Sequence, residues 1–189
     1  MLQYNEATPG KYIILDGQPY EVLSSHVFRK QQRKPVNQAK MRNLITGKVA
    51  ERSFHHTDKL EEAEITTKTI KYIYTNRRES WFCEENDPSK RFTLPEEVVG
   101  DGVHYLKGNT LVEALIFNEK IISVHVPVKV ELKVKQSAPA VRGNTAQGAY
   151  KEAVLETGIT IQVPLFINEG DTIRLNTETG QYVERVEKS

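Results

Sequence analysis

The hydrophobic pattern of the chain is that of short strands separated by turns. β-Branched and aromatic residues on either side of Asp16-Gly17 predict a hairpin over residues 11–23. Ile45-Thr-Gly47-Lys48 separates two further runs of this kind and predicts a second hairpin over residues 39–54. The pattern therefore favours antiparallel β-structure from the start of the chain.

Two more blocks continue the same rhythm. In the second block, residues 70–74 and 80–83 flank a turn at 75–79, and residues 111–117 and 121–126 flank a turn at 118–120. A third block begins near Pro127, and we predict its strands at 130–134, 159–163, 172–175 and 182–186, with a Pro- and Gly-rich loop at 138–148. A single short helix is expected at residues 95–100, because proline is favoured in a first helical turn and glycine at a helix end.

Three small domains account for this spacing. Short strands with turn signals between them are typical of SH3-like and OB barrels. Residues 54–64 change to polar and acidic side chains, which indicates a domain boundary. We therefore predict an all-β protein with domains at residues 1–64, 65–127 and 128–189.

Composition restricts the class of protein further. Charged residues make up 27% of the 189 residues, and no apolar run approaches the ~18 residues of a membrane span. The first residues lack the basic and apolar regions of a signal peptide. The single Cys83 rules out an internal disulfide and suits a reducing compartment. We expect a cytoplasmic protein without membrane contact.

Signatures of catalysis are absent from the sequence. None of the glycine-rich phosphate-binding motifs or the nucleophile-elbow motif occurs. Cys83 lies in an aromatic strand pattern, which favours a packing role over that of a nucleophile. His55 and His56 are adjacent, so a strand would direct them to opposite faces and prevent them from sharing a metal ion. The chain is therefore interpreted as a non-enzyme without metal or cofactor.

A concentrated basic segment stands out in a chain whose net charge is only +1. Residues 28–42 contain no carboxylate and six cations, namely Arg29, Lys30, Arg33, Lys34, Lys40 and Arg42. Such a segment attracts polyanions by neutralising phosphates and releasing their counterions. The alternative is a solvated surface loop. OB-like barrels commonly hold nucleic acid, which favours a nucleic-acid-binding module.

Base-stacking platforms are not evident from the sequence. The strand aromatics Tyr72, Tyr74, Trp81 and Phe82 are interpreted as core residues, because side chains in such runs are more often buried than offered to a ligand.

Four segments then resemble one known family. Residues 151–170 resemble the C-terminal signature of bacterial elongation factor P, and residues 40–47 resemble the strand and turn that follow that family's functional loop. Residues 141–146 resemble its Gly-Asp-Thr-Ala loop, and residues 180–186 resemble its ending. The resemblance covers the chain in the expected order. The third block distinguishes it from the two-domain eukaryotic and archaeal homologue, initiation factor 5A.

The resemblance implies an SH3-like (KOW-type) domain followed by two OB folds in an L-shaped, tRNA-like arrangement. It also implies a monomer that binds both ribosomal subunits between the P and E sites and contacts the P-site peptidyl-tRNA and an E-site mRNA codon. Such factors relieve stalls at consecutive prolines by holding the peptidyl-tRNA in a reactive geometry. They do no covalent chemistry.

The basic loop departs from the family pattern. Members carry a lysine or arginine, often modified by a dedicated enzyme, within a glycine-containing turn. This chain reads Gln31-Gln32-Arg33-Lys34-Pro35 without glycine. Alignment from Phe28 places Arg33 at the tip, whereas alignment from Lys40 places Gln32 there. We expect Arg33 first and Lys34 second, either bare or modified, with Lys30 and Arg29 behind them.

The resemblance implies further RNA contacts. Lys40 and Arg42 follow the loop, and a second loop brings Gly143, Asn144 and Thr145 near the E-site codon, with Asn144 replacing the usual aspartate. Tyr182 and Arg185 would face RNA, although Tyr182 fits a core position equally well. The loop at 143–145 also fits a simple turn. The alternatives for the whole chain are a general single-strand nucleic-acid-binding OB protein and a specialised paralogue of the factor.

Overall fold

The computed structural model describes residues 1–29, 34–139 and 150–189. Within these ranges the chain forms sixteen strands, one short α-helix and one 3-10 helix, and the strands form three antiparallel sheets. The all-β prediction is confirmed. The chain divides into two compact units, residues 1–68 with 114–124 and residues 69–113 with 125–189.

The first sheet contains six strands and a small core of its own. The strands are β1 (Leu2–Gln3), β2 (Tyr12–Leu15), β3 (Gln18–Phe28), β4 (Val36–Asn43), β5 (Val49–His55) and β6 (Lys59–Glu62), in the order β1-β6-β2-β3-β4-β5. Both hairpins predicted in this block are present. Asp16 and Gly17 both have positive φ, which is the backbone that a two-residue hairpin turn requires.

The segment interpreted as a boundary contains a strand. β6 pairs with both β1 and β2, and its Leu60 is buried with Ile13 in the core of the first sheet. Leu60 is the single buried residue of β6, and Lys59, Glu61 and Glu62 around it are exposed, so composition alone concealed the strand.

The second sheet contains five strands and the only helical segments of the described residues. The strands are β7 (Thr66–Asn76), β8 (Glu79–Glu84), β9 (Asp87–Pro95), β10 (Leu111–Phe117) and β11 (Lys120–His125), in the order β11-β10-β7-β8-β9. The predicted helix is present as α1 (Glu96–Val99), capped by Pro95 and Gly100, and a 3-10 helix (Asp101–Tyr105) follows. The turn between β7 and β8 is tighter than predicted, since only Arg77 and Arg78 separate the strands.

The third sheet also contains five strands. They are β12 (Lys129–Ser137), β13 (Tyr150–Leu155), β14 (Thr160–Pro164), β15 (Thr172–Asn176) and β16 (Gln181–Glu187), in the order β14-β13-β12-β15-β16. Leu132, Leu155 and Ile173 lie among the fully buried residues of its core. The predicted loop at 138–148 falls mostly on residues 140–149, outside the described residues. In the described ranges, no helix is long and apolar enough to cross a membrane.

Candidate nucleic-acid interface

A long hairpin presents the basic segment. β3 and β4 pair continuously, apart from a bulge near Val22, as far as Phe28 opposite Val36. β5 supports the same length on the other side, where His55 pairs with Val36. Residues 29–35 connect the strands beyond the last pair, and they include the predicted tip. Paired strands on both sides of β4 give this loop a firm base.

β4 alternates strictly between buried and exposed residues. Ala39 and Met41 are buried in the core of the first sheet, whereas Gln38, Lys40 and Arg42 are exposed on its outer face. This period of two follows from the pleat of a strand. The predicted RNA contacts Lys40 and Arg42 therefore share one solvent-facing surface.

Carboxylates from neighbouring strands face these two cations. A nitrogen of the Arg42 guanidinium lies 2.7 Å from an oxygen of Glu21 on β3. Lys40 is in register with Glu51 on β5. A segment without acidic residues in sequence is thus partly neutralised across the sheet. The opposing charges reduce the field at the base of the hairpin, so the loop contributes more of the attraction for a polyanion.

The loop itself is only partly described. Arg29 and Lys34 are exposed and lie at its two ends. The predicted tip residues Gln32 and Arg33, with Lys30, lie outside the described residues. The sheet therefore brings four of the predicted residues, Arg29, Lys34, Lys40 and Arg42, onto one hairpin.

Asn37 is a structural residue of this hairpin that the sequence reasoning did not identify. Its side chain is fully buried, and its amide nitrogen donates hydrogen bonds to the carbonyl oxygens of Tyr4, at 2.7 Å, and Ala7, at 3.2 Å. These bonds attach the N-terminal segment to β4. A lone asparagine at a buried position of an alternating strand was the available signal, because buried amides need partners.

Asn43 closes the turn after β4. Its side-chain oxygen accepts hydrogen bonds from the backbone amides of Ile45, at 2.9 Å, and Thr46, at 2.8 Å. Its amide nitrogen donates to Gln18. The segment at 40–47 that resembles the family's strand and turn is thus stabilised largely by local hydrogen bonding.

The predicted contacts on the third sheet divide into two groups. Gly143, Asn144 and Thr145 lie outside the described residues. Tyr182 is half-buried and packs against the core of the third sheet, as the core alternative predicted. Burial raises the pKa of the Tyr182 phenol, although the nearby Arg185 lowers it in part. Tyr182 thus has both a packed and an accessible surface.

Arg185 belongs to a hydrogen-bonded cluster around Asp171. Its guanidinium donates to an Asp171 carboxylate oxygen and to the Phe166 carbonyl oxygen, each at 3.4 Å, and lies 5.3 Å from the centre of the Phe166 ring. Asp171 is fully buried and also accepts bonds from the backbone amides of Asn168 and Ser189, each at 2.9 Å. Burial raises the pKa of Asp171, but these donors lower it by more, so the net pKa is below its usual value.

The aromatic residues of the second sheet separate into a core pair and a surface pair. Tyr72 and Phe82 are buried, as expected. Tyr74 is 46% exposed and Trp81 is half-buried, so the expectation of core residues is wrong for Tyr74. The bulge between Tyr72 and Tyr74 is the physical reason, because it changes which face the following residue occupies. Cys83 is buried in β8, as its apolar setting predicted.

Family models match both ends of the chain. The model described as elongation factor P (EF-P) KOW-like domain matches residues 3–60, and the model described as elongation factor P, C-terminal, matches residues 130–185.

Relatives match over the whole length. Elongation factor P from Carboxydothermus hydrogenoformans is 37% identical over 186 residues, which cover 98% of this chain and 100% of the relative. Elongation factor P from Thermodesulfovibrio yellowstonii is 33% identical over 188 residues, with 100% of each chain covered.

Among solved structures, eukaryotic translation initiation factor 5A from Methanococcus jannaschii has a TM-score of 0.51 at 15% identity, and the match covers 66% of this chain and 92% of that chain. This likeness concerns the fold alone. The sequence matches go further: the chain belongs to the elongation factor P family and is a translation elongation factor, not an enzyme.

Proposed function

We propose that the protein binds the ribosome between the P and E sites and promotes peptide bond formation at consecutive prolines. Proline reacts slowly because its ring restricts the backbone. A factor that holds the acceptor end of peptidyl-tRNA in a reactive geometry lowers the barrier through orientation, without a covalent step. Full-length similarity to elongation factor P supports this activity.

The proposal rests on the long hairpin of β3 and β4, which β5 supports from the other side of β4. Its paired strands extend to Phe28 and Val36, and β5 accompanies β4 to the same point. Orientation requires that the contacting group be held on a rigid element. The connecting residues 29–35 carry four cations and no carboxylate, so their charge suits an RNA phosphate.

Residue roles follow from this position. We assign the main contact with peptidyl-tRNA to Arg33 and the second to Lys34, with Gln32, Lys30 and Arg29 beside them. An arginine offers a planar fork for phosphate without further modification. Lys40 and Arg42 flank the contact on the outer face. Mass spectrometry of residues 29–40 from the native host distinguishes a bare loop from one extended by a modifying enzyme.

The third sheet contributes the contact with the small subunit. We assign the approach to the E-site codon to residues 143–145. Tyr182 and Arg185 border this contact. The bonds of Arg185 to Asp171 hold its guanidinium in place, so a preorganised surface is available to RNA.

A reconstituted translation reaction tests the proposal. Ribosomes translate one message with three consecutive prolines and a matched message with three alanines, with and without saturating factor. We expect acceleration on the proline message only. Because a hydrogen bond to a charged group contributes about 1.5–3 kcal/mol, Arg33→Ala is expected to reduce the acceleration by about 10- to 150-fold. Lys48→Ala, at an exposed turn of the same sheet, is the matched control and is expected to retain it.

Two results would contradict the proposal. If saturating protein leaves both messages unchanged, the protein does not relieve proline stalls. If Arg33→Ala and Lys48→Ala have equal effects, the hairpin loop is not the contacting element.

A further inference from the structure

An aromatic pair, one ring exposed and the other half-buried, lies on the face of the second sheet opposite Phe82. Tyr74 on β7 is in register with Trp81 on β8, and their rings stack with centroids 5.9 Å apart and an angle of 18° between planes. Tyr74 is 46% exposed. The two rings are nearly parallel, and the exposed part of Tyr74 leaves aromatic surface open to solvent.

Two cations share this face. Lys71 pairs with Cys83, and Cys83 pairs with Arg91 on β9. Residues directly opposite one another point to the same face, as do residues two apart on one strand. Trp81 and Cys83 are two apart, so Lys71 and Arg91 lie on the same face as Trp81. We call Tyr74, Trp81, Lys71 and Arg91 the aromatic platform.

The cations remain available to solvent. Arg91 is exposed, and its Nε donates to the Pro88 carbonyl oxygen at 3.3 Å, which orients the side chain. Lys71 is half-buried, which is typical of a lysine that lays its aliphatic stem along a sheet and keeps its ammonium in water. The platform thus combines a π-surface with positive charge on the side of Cys83, whereas the exposed Glu79, two residues before Trp81 on β8, lies on the other side of the rings.

We infer that the aromatic platform binds single-stranded RNA by stacking an unpaired base on Tyr74 and Trp81, with Lys71 and Arg91 holding adjacent phosphates. Base stacking on aromatic side chains beside a cationic groove is the usual basis of single-strand binding. The cations favour RNA over an apolar protein partner, because such a partner would leave them unpaired. The site lies apart in sequence from the hairpin loop and from residues 143–145. The inference rests on the proposed function only for the source of the RNA, whether ribosomal or transfer RNA.

Trp81 provides a direct assay, because it is the single tryptophan of the sequence. An eight-nucleotide oligouridylate is titrated into the full-length protein at low salt while Trp81 fluorescence is recorded. We expect saturable quenching, and the logarithm of the binding constant is expected to fall linearly with the logarithm of salt concentration. Polyglutamate is titrated in parallel and is expected to leave the fluorescence unchanged, since it has charge but no base.

Variants separate stacking from charge. Tyr74→Leu keeps an apolar side chain but removes the ring, and it is expected to weaken binding about 5- to 150-fold. Tyr74→Phe keeps the ring and is expected to bind like the unchanged protein. Tyr150→Leu removes a tyrosine that is 58% exposed on the third sheet, and it serves as the matched control. Arg91→Gln is expected to lower the slope of the log binding constant against log salt concentration by the equivalent of about one phosphate contact. Because Arg91 is exposed, this substitution is not expected to unfold the protein.

Several outcomes would overturn the inference. Absence of quenching by oligouridylate, equal affinity of Tyr74→Leu and Tyr150→Leu, an unchanged salt slope in Arg91→Gln, or equal quenching by polyglutamate each contradicts it. The translation assay separates this inference from the proposed function. Loss of proline rescue with intact quenching refutes the proposed function alone, whereas rescue without quenching refutes the platform alone.

Discussion

Gly180 occupies the turn between β15 and β16 and allows Tyr105 to pack closely. Its φ is +67°, in the left-handed region. A Cβ at this position would overlap the Tyr105 hydroxyl oxygen and lie 3.4 Å from Cζ of the same ring. Tyr105, the last residue of the 3-10 helix, packs against the core of the third sheet. Gly180→Ala therefore introduces both backbone strain and a side-chain clash.

A substitution at Gly158 measures the cost of backbone strain without the cost of a side-chain clash. Its φ is +89°, but an added Cβ would meet nothing within 4 Å. Gly158→Ala is thus expected to cost only the left-handed penalty of about 1–2 kcal/mol. Gly180→Ala adds overpacking of about 1–3 kcal/mol, for a total of about 2–5 kcal/mol. Tyr105→Phe removes the overlapping oxygen, so the double variant should recover most of the added cost.

Urea unfolding followed by Trp81 fluorescence measures these differences. Trp81 lies in the same compact unit as Gly158, Gly180 and Tyr105, so its signal reports on the affected part of the chain. The urea midpoints of Gly158→Ala, Gly180→Ala, Tyr105→Phe and the double variant are compared with that of the unchanged protein. The comparison requires that the dependence of the unfolding free energy on urea stays constant, because a change in this slope would indicate a change in the denatured or native state.

Either of two results would refute a steric clash between Tyr105 and a side chain at position 180. If Gly180→Ala is no less stable than Gly158→Ala, the close approach of Tyr105 is not significant. If Tyr105→Phe does not reduce the cost of Gly180→Ala, the clash lies elsewhere. In a double-mutant cycle, independent sites would give additive changes within about 0.5 kcal/mol.

Two further predictions concern buried polar groups. The folded pKa of Asp171 lies below its unfolded value, so the contribution of this carboxylate to stability is complete above the unfolded pKa of about 3.9 and is lost as pH falls through the folded pKa. Asp171→Asn should flatten this acid dependence in thermal unfolding between about pH 2 and 5. An unchanged pH profile would refute the assignment. Asn37→Ala removes two hydrogen bonds to the N-terminal segment and is expected to destabilise the first sheet by about 2–4 kcal/mol. Hydrogen exchange should then accelerate at residues 2–8, whereas Gln38→Ala, at an exposed neighbouring position, should leave it unchanged.

Turn chemistry made most of the fold predictable. Asp16-Gly17 and Ile45-Thr-Gly47-Lys48 each lie between strands that the sequence placed nearly correctly. Four strands were not predicted, namely β1, β6, β9 and β13, and β6 and β9 lack this contrast. β9 contains charged residues and two prolines, and β6 has a single buried residue, Leu60, so neither has a clear period of two.

The candidate site was predictable as a set of charges but not as a surface. The basic residues and their order along the loop are evident from sequence. The carboxylates that oppose Arg42 and Lys40 come from other strands, so their effect depends on register. The exposed Tyr74 was hidden for a related reason, because a one-residue bulge reverses the face on which the following side chains lie.

By itself, the sequence determined the all-β class, the resemblance to elongation factor P and the concentration of cations at residues 29–34, because turn residues, motifs and charge are local properties. The tertiary structure alone decided which cations are neutralised, how Asn37 holds the N-terminal segment and which aromatics reach the surface. These depend on pairing between residues distant in sequence, since strand register brings each side chain to its partner and its face.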